Sequence, residues 1–361
     1  MIRLKLYGQP TSTYEYVKMK IKEHAQKAGI KIRIDEIKDI KKLISEGIES
    51  IPTVKVNNHI NLSFNKNEEI NDFIKKVNLA LLQEGDYGIM KKIIVPTDFS
   101  ETSWNAMAYA YGLADAIGGV INLTHCYLPS AVDVNTLTEN TIKEMKEKQL
   151  DEFFEKVNKE WVGEKSSKPM IEKTFKLGFP VEEICQMAKE KEAFIVMGST
   201  GDTGAFKKFF GSISTAVSQR SERPVFIIPH NATFSGINRI AYACEADEIP
   251  DANIDAVSML ATVTGAEIHL VHVEEEEEMD MYFDLIKAWK EKYPDNSIQN
   301  HFIQSEDVNE ALNRFVEQKD IDLLVMTHRK RGFFDDLFHK SHTKEMSINS
   351  RTPLLVLQSK P

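Results

Sequence analysis

At 361 residues the chain is too long for one ordinary hydrophobic core, so two or three domains are expected. It is 42% hydrophobic and 28% charged, ordinary globular material; its net charge of −10, with no basic stripe of interleaved aromatics, argues against a general nucleic-acid binder. Cys126, Cys185 and Cys244 form no CxxC pair, the start MIRLKLYGQP has no apolar signal core, and no window approaches about 18 uninterrupted apolar residues. The expectations are therefore no zinc or dithiol motif, no membrane span, and a reducing cytoplasm.

Residues 1–86 read as alternating strands and helices. Strands are expected at Leu4–Tyr7, Lys31–Ile34 and Thr53–Val56, and helices at Tyr14–Gly29, Ile40–Gly47 and Glu68–Leu82. QEGDYG (83–88) is the expected linker. This block resembles the thioredoxin/glutaredoxin fold, and Ile51-Pro52-Thr53 matches that family's cis-proline corner. The family's dithiol would follow the first strand, where Thr11-Ser12-Thr13-Tyr14-Glu15 stands without a cysteine. Hydroxyls do not form disulfides, so thiol–disulfide exchange in its usual form is excluded. A docking or dimerisation domain is expected, with glutathione binding without turnover as the alternative.

A second block, 90–230, opens with KKIIVPTDFS, whose run Ile93–Val95 suits a buried parallel strand. Ser100 is the candidate N-cap of a helix buried along Ala106, Ala110, Leu113 and Ile117 and ended by Gly118-Gly119. Strands at 120–127, 170–175, 194–197 and 225–228 alternate with helices at 142–161, 181–191 and 213–221. Such alternation implies a parallel sheet covered on both faces.

The third block, 237–361, repeats the second. An offset of 147 maps Ile93, Gly118, Leu123 and His125 onto Ile240, Gly265, Leu270 and His272. Later an offset of 129 maps Val196, Met197 and Pro224 onto Val325, Met326 and Pro353, which leaves a deletion of 18 residues between the second and fourth strands. Strands 225–228 and 354–357 are expected to pair the copies as an internal pseudo-dimer. Glu274–Glu278 reads as a solvated loop or helix start.

After strand FIVMG comes Gly198-x2-Gly201-x9-Gly211-Ser212, then a helix. Glycines let backbone approach phosphate oxygens, and a helix start favours an anion. Ser212, Ser214 and Thr215 add hydroxyls, and Lys207 and Lys208 lie in the spacer. No Walker A loop and no GxGxxG fingerprint is present. With Pro96-Thr97-Asp98-Phe99-Ser100, the pattern resembles the universal stress protein family over residues 90–361. The resemblance implies an α/β fold of adenine-nucleotide α-hydrolase type, with two five-stranded parallel sheets of strand order 3-2-1-4-5. It implies ATP, with Mg2+, bound by Pro96, Thr97, Asp98, Cys126, Met197, Gly198, Gly201, Gly211, Ser212 and Ser214. Asp98 would face ribose or metal, and the His125-Cys126 backbone would meet adenine. Asp202 departs from the family pattern. In the third block Asp98, Gly198, Gly201 and Gly211 become Glu245, Thr327, Lys330 and Lys340, so that copy is expected not to bind ATP. Its Arg329, Lys330, Arg331 and Lys340 leave another anion open, while His328, His339 and His342 read as loop polarity. The expected function is a nucleotide-regulated binding or signalling module, alone or as a homodimer with an unknown protein partner. A slow ATPase or phosphotransferase using Asp98 and a bound metal is the alternative.

Overall fold

The computed structural model describes residues 2–27, 31–57, 60–65, 69–70, 73–74, 77, 80–81, 92–129, 133, 138–161, 169–199, 211–243, 251–274, 280–294, 296–305, 307–328 and 351–358. These belong to two compact units, Met1–Tyr87 and Gly88–Pro361. The expected linker at 83–88 lies outside the described residues.

The first unit runs β1 (Ile2–Tyr7), α1 (Ser12–Lys27), β2 (Ile32–Ile37), α2 (Ile40–Ser45), β3 (Thr53–Val56) and β4 (Ile60–Ser63). Its sheet order is β2-β1-β3-β4, with β2 parallel to β1 and the β1–β3 and β3–β4 pairs antiparallel. Tyr14, Val17, Ile21 and Ala25 place one face of α1 in the core. Helical residues Phe73, Ile74, Val77 and Leu81 are buried at the same spacing. The Ile51–Pro52 bond is cis. The β4 strand is an addition to the sequence reading: INLS is too short to show an alternation.

The second unit contains both repeats. The first copy runs β5 (Lys92–Pro96), α3 (Glu101–Ile117), β6 (Val120–Tyr127), α4 (Glu139–Trp161), β7 (Met170–Leu177), α5 (Pro180–Glu190), β8 (Phe194–Gly198), α6 (Ser212–Arg220) and β9 (Val225–Ile228). The second runs β10 (Arg239–Ala243), α7 (Asp251–Thr264), β11 (Glu267–Glu274), α8 (Asp280–Lys292), β12 (Ile298–Gln304), α9 (Val308–Gln318), β13 (Leu323–His328) and β14 (Leu354–Gln358). Where two five-stranded sheets were expected, the strands form one ten-stranded sheet, β12-β11-β10-β13-β14-β9-β8-β5-β6-β7. Strands within each copy are parallel; β9 and β14 meet antiparallel, with Leu354 opposite Ile227 and Val356 opposite Val225.

Alternation along the strands feeds two cores, one on each face of this sheet. Ile93, Val95, Leu123, Val196 and Phe226 join Ile240, Leu270 and Val325 on the face covered by α3, α4, α7 and α8. Ile94, Ile195, Met197 and Ile227 join Ala241, Leu324 and Val356 on the face covered by α5, α6 and α9. Each core thus crosses from one copy into the other.

The repeat extends to single hydrogen bonds. Gly119 N–H donates to Ala114 O in one copy, as Ala266 N–H does to Ala261 O in the other. Ile195 N–H donates to Pro224 O, as Leu324 N–H does to Pro353 O. Gly118 and Gly265 both end their helices at positive φ, 67° and 75°, where a side chain is disfavoured. The helix before the third strand shrinks from 23 residues in α4 to 13 in α8, which absorbs part of the deletion. The joint between copies folds back over α3. Asn105 Nδ2 donates to Pro229 O and Ala232 O, each at 2.9 Å. Phe234 packs edge-on to Tyr109, and a Cβ on Gly112 would lie 2.5 Å from its ring.

Candidate functional site

The strands β5 and β8 are neighbours, but the helices that follow them leave on opposite faces: α3 packs on one core and α6 on the other. A crevice opens at the carboxyl ends of such strands, the usual ligand position in open α/β sheets. The residues at this edge are Pro96 and Thr97 at the end of β5, Thr124–Cys126 on β6, and Gly198 and Ser199 at the end of β8.

The β5 side is built by a compact turn. Thr97 is buried, and its N–H donates to Thr124 O at 2.8 Å. Its hydroxyl pairs with Ser103 Oγ at 2.9 Å and accepts from Phe99 N–H at 3.0 Å. Asp98 Oδ1 accepts from Ser100 N–H at 3.1 Å and from Ser100 Oγ–H at 2.5 Å. Ser100 Oγ in turn accepts from Ser103 N–H, which makes Ser100 the N-cap of α3, as its residue type suggested. Between them Phe99 adopts φ 68°, unusual for a bulky residue. The ring interactions that this turn permits offset the strain: Phe99 lies 4.4 Å from the His125 ring and 5.8 Å from Phe153.

On β6, His125 Nδ1 lies 2.7 Å from Thr97 O. A carbonyl only accepts, so Nδ1 carries the proton, and Nε2 is buried with no hydrogen-bond partner among the described residues. Burial lowers the His125 pKa, outweighing the opposing backbone bond. Burial pushes the neighbouring Cys126 thiol up to about 12, so it is a poor nucleophile.

On the β8 side, Met197 is buried and Gly198 pairs with Ile228. A Cβ on Gly198 would stand 2.6 Å from Thr102 Cγ2 and 3.0 Å from Thr102 O. The glycine therefore seats the first turn of α3 against β8. Sequence reasoning assigned it to phosphate approach and missed Thr102, because nothing local to 198 reveals which helix arrives there.

Ser199 also escaped the sequence reading, yet it organises the helix start. Its carbonyl accepts from Gly211 N–H at 2.5 Å and from Ser214 Oγ–H at 2.7 Å. Ser214, expected as a donor to phosphate, has its hydroxyl turned to backbone carbonyls, with Gly211 O also at 3.0 Å. Gly211 is the N-cap of α6 and supplies no side-chain cap, and Ser212, the first helical residue, is exposed. Among the described residues no side chain caps the first-turn N–H groups of α6, the kind of helix start that suits an anionic acceptor. Gly201, Asp202, Lys207 and Lys208 lie outside the described residues.

The second copy fills the corresponding place. Thr327, at the position of Gly198, holds its hydroxyl 2.7 Å from Tyr242 Oη and 3.1 Å from Asn253 Nδ2. Glu245, Arg329, Lys330, Arg331, His339, Lys340, Ser341 and His342 lie outside the described residues. Among the described residues no group of three His, Cys, Asp or Glu side chains is arranged to hold a metal, and no helix is long and apolar enough to cross a membrane.

Comparison with known proteins accords with this architecture. A sequence model of the Universal stress protein family matches residues 90–229 and again 237–358. Universal stress protein MJ0531 of Methanocaldococcus jannaschii is 30% identical over 160 residues, 41% of this chain and 87% of that protein. Universal stress protein YxiE of Bacillus subtilis is 32% identical over 149 residues, 39% of this chain and 99% of that protein. The crystal structure of a universal stress protein from Archaeoglobus fulgidus superposes with a TM-score of 0.58 at 22% identity, over 74% of this chain and 96% of that one, a likeness of fold. The two matched ranges fall one on each half of the ten-stranded sheet, and the chain belongs to the universal stress protein family, with two of its domains in tandem.

Proposed function

We propose that the chain is a nucleotide-regulated binding module that takes one adenine nucleotide, ATP with Mg2+, in the β5–β8 crevice. The observation that carries this reading is the start of α6, where Gly211 supplies no side-chain cap and Ser199 ties the helix to the end of β8 at the switch point of the sheet. Phosphates would meet the α6 N–H groups, Ser212 and the backbone at Gly198, Gly201 and Gly211. Ser214 holds the helix start in place, and Pro96, Thr97 and Met197 shape the floor. The backbone at Cys126 would meet adenine. The Asp98 carboxylate disfavours a bare polyphosphate nearby; Asp98 would be the residue to hold Mg2+, whose charge would offset that repulsion. The second copy, with Thr327 hydrogen-bonded where glycine stands in the first, does not bind ATP in this reading.

The first unit serves as a thioredoxin-like docking or dimerisation domain without redox chemistry. Its β2-β1-β3-β4 order and the absence of cysteine from residues 11–15 support that assignment. The module would act in a reducing cytoplasm on an unidentified protein partner, as a monomer or homodimer. Binding is preferred to the ATPase alternative because Asp98 Oδ1 is already engaged twice by Ser100, as in a helix-start turn. Native mass spectrometry of the purified chain, followed by calorimetry with Mg-ATP, ADP, AMP and cAMP, tests the reading. One nucleotide per chain is expected; no retained ligand and no binding at millimolar nucleotide refutes it.

A further inference from the structure

The end of α6 away from the crevice is held by the other copy. The C-cap Ser221 N–H donates to Val217 O, and Ser218 O is the next carbonyl, in the last turn of α6, where intrahelical donors run out. Gln358, the last residue of β14, donates its Nε2–H to this carbonyl at 2.8 Å. Gln358 Oε1 lies 3.3 Å from His328 Nδ1, at the end of β13. His328 occupies, at the offset of 129, the position of Ser199, the residue that ties the other end of α6 to β8. At the same offset the first copy has Pro229 where the second has Gln358, and a proline ring carries no donor. The contact therefore has no counterpart running from Pro229 into the second copy.

We propose that Gln358 is a positioning residue for the nucleotide site, through which the second copy sets how the first one holds phosphate. This rests on the nucleotide reading of the crevice. A helix of nine residues transmits a displacement of its last turn to its first. The N-terminal end is held by Ser199, and the C-terminal end by Gln358 on a strand of the other copy. With Gln358 in place, α6 is fixed at both ends and its first-turn N–H groups are pre-aimed. Without it, the last turn keeps the Ser221 N–H to Val217 O bond and the Arg220–Glu182 pair but loses its tether to the other copy, and the ligand must supply more of the ordering as it binds. The phosphate half of the ligand touches α6 and the adenosine half does not, so the effect divides between them.

The test is calorimetry on the full chain with Mg-ATP and with adenosine, for the wild type, Gln358→Leu and Gln358→Glu. The glutamate variant keeps the side-chain volume and removes the donor, so it remains informative if the leucine variant folds poorly. Loss of one hydrogen bond corresponds to about a five-fold weaker Kd for ATP, with adenosine within about two-fold of wild type. Equal weakening of both ligands, or no change for ATP, overturns the inference while leaving the nucleotide reading standing. A wild type that binds neither ligand overturns both.

Discussion

Replacing Gly198 by alanine should destabilise the second unit through one contact. The added methyl would stand 2.6 Å from Thr102 Cγ2, 3.0 Å from Thr102 O and 3.2 Å from Thr102 C. Carbon atoms in good contact are about 3.5–4.0 Å apart, so the first turn of α3 must retreat from β8 by close to an ångström. Threonine is stiff at χ1 and two of the three clashing atoms are backbone, so a rotamer change does not relieve the clash. Overpacking of this kind costs about 1–3 kcal/mol. For a unit of this size that lowers the Tm by roughly 2–4 °C per kcal/mol. Thr102→Ser removes the nearest atom and keeps the carbonyl contact, so the double variant should recover part of the loss, with a coupling of about 0.5 kcal/mol or more. Urea unfolding and calorimetry of the four chains measure this directly. A Gly198→Ala chain as stable as the wild type, or strictly additive losses in the double variant, would refute the packing account and return Gly198 to the phosphate role. The same retreat moves the Asp98–Ser100 turn, so weaker ATP binding by a Gly198 variant does not by itself locate the phosphates.

Thr327→Val should remove the hydroxyl's bonds to Tyr242 Oη and Asn253 Nδ2 and cost about 1–2 kcal/mol in urea, with ATP affinity unchanged; an unchanged urea midpoint would show that these bonds do not hold the second copy together. Stability should also fall on acidification. Burial lowers the pKa of His125, His269 and His301, so the unfolded chain takes up protons at a higher pH than the folded one. The stabilisation from these neutral rings is complete above the unfolded value of about 6.5 and is lost as pH falls through the lower folded values. His269 Nδ1 and His301 Nε2 lie 3.0 Å apart, a bond that two imidazoliums cannot make. Urea midpoints at about pH 7.5 and 5.5 should drop in the wild type and drop less in His125→Asn; equal drops exclude a role for His125.

Features set by short-range rules could be read from the residues alone. Ser100 caps α3 because its hydroxyl meets an N–H three residues on, and Gly118 ends that helix because φ 67° suits glycine. The duplication was visible because buried strands keep their apolar residues in register; the structure repeats even the Ile195–Pro224 and Leu324–Pro353 bonds. What depended on distant residues was not visible. Gly198 looks the same whether a phosphate or Thr102 approaches it. Ser214 looks like a free hydroxyl until Ser199 O is placed 2.7 Å away. The cap from Gln358 joins residues 140 positions apart, across two domains.

The antiparallel seam between β9 and β14 joins strands that belong to one chain. Pairing of separate subunits is set by their concentration, and partners exchange; pairing within a chain has a fixed effective concentration, in the millimolar range for short connections. The two halves therefore stay matched at any expression level, and each always meets the same neighbour. Under that condition the halves are free to specialise. Residues needed to keep two identical domains both functional and self-complementary are released, and a difference such as Gly198 in one half against Thr327 in the other is never diluted into mixed assemblies. The seam makes division of labour between the two copies heritable as a single unit.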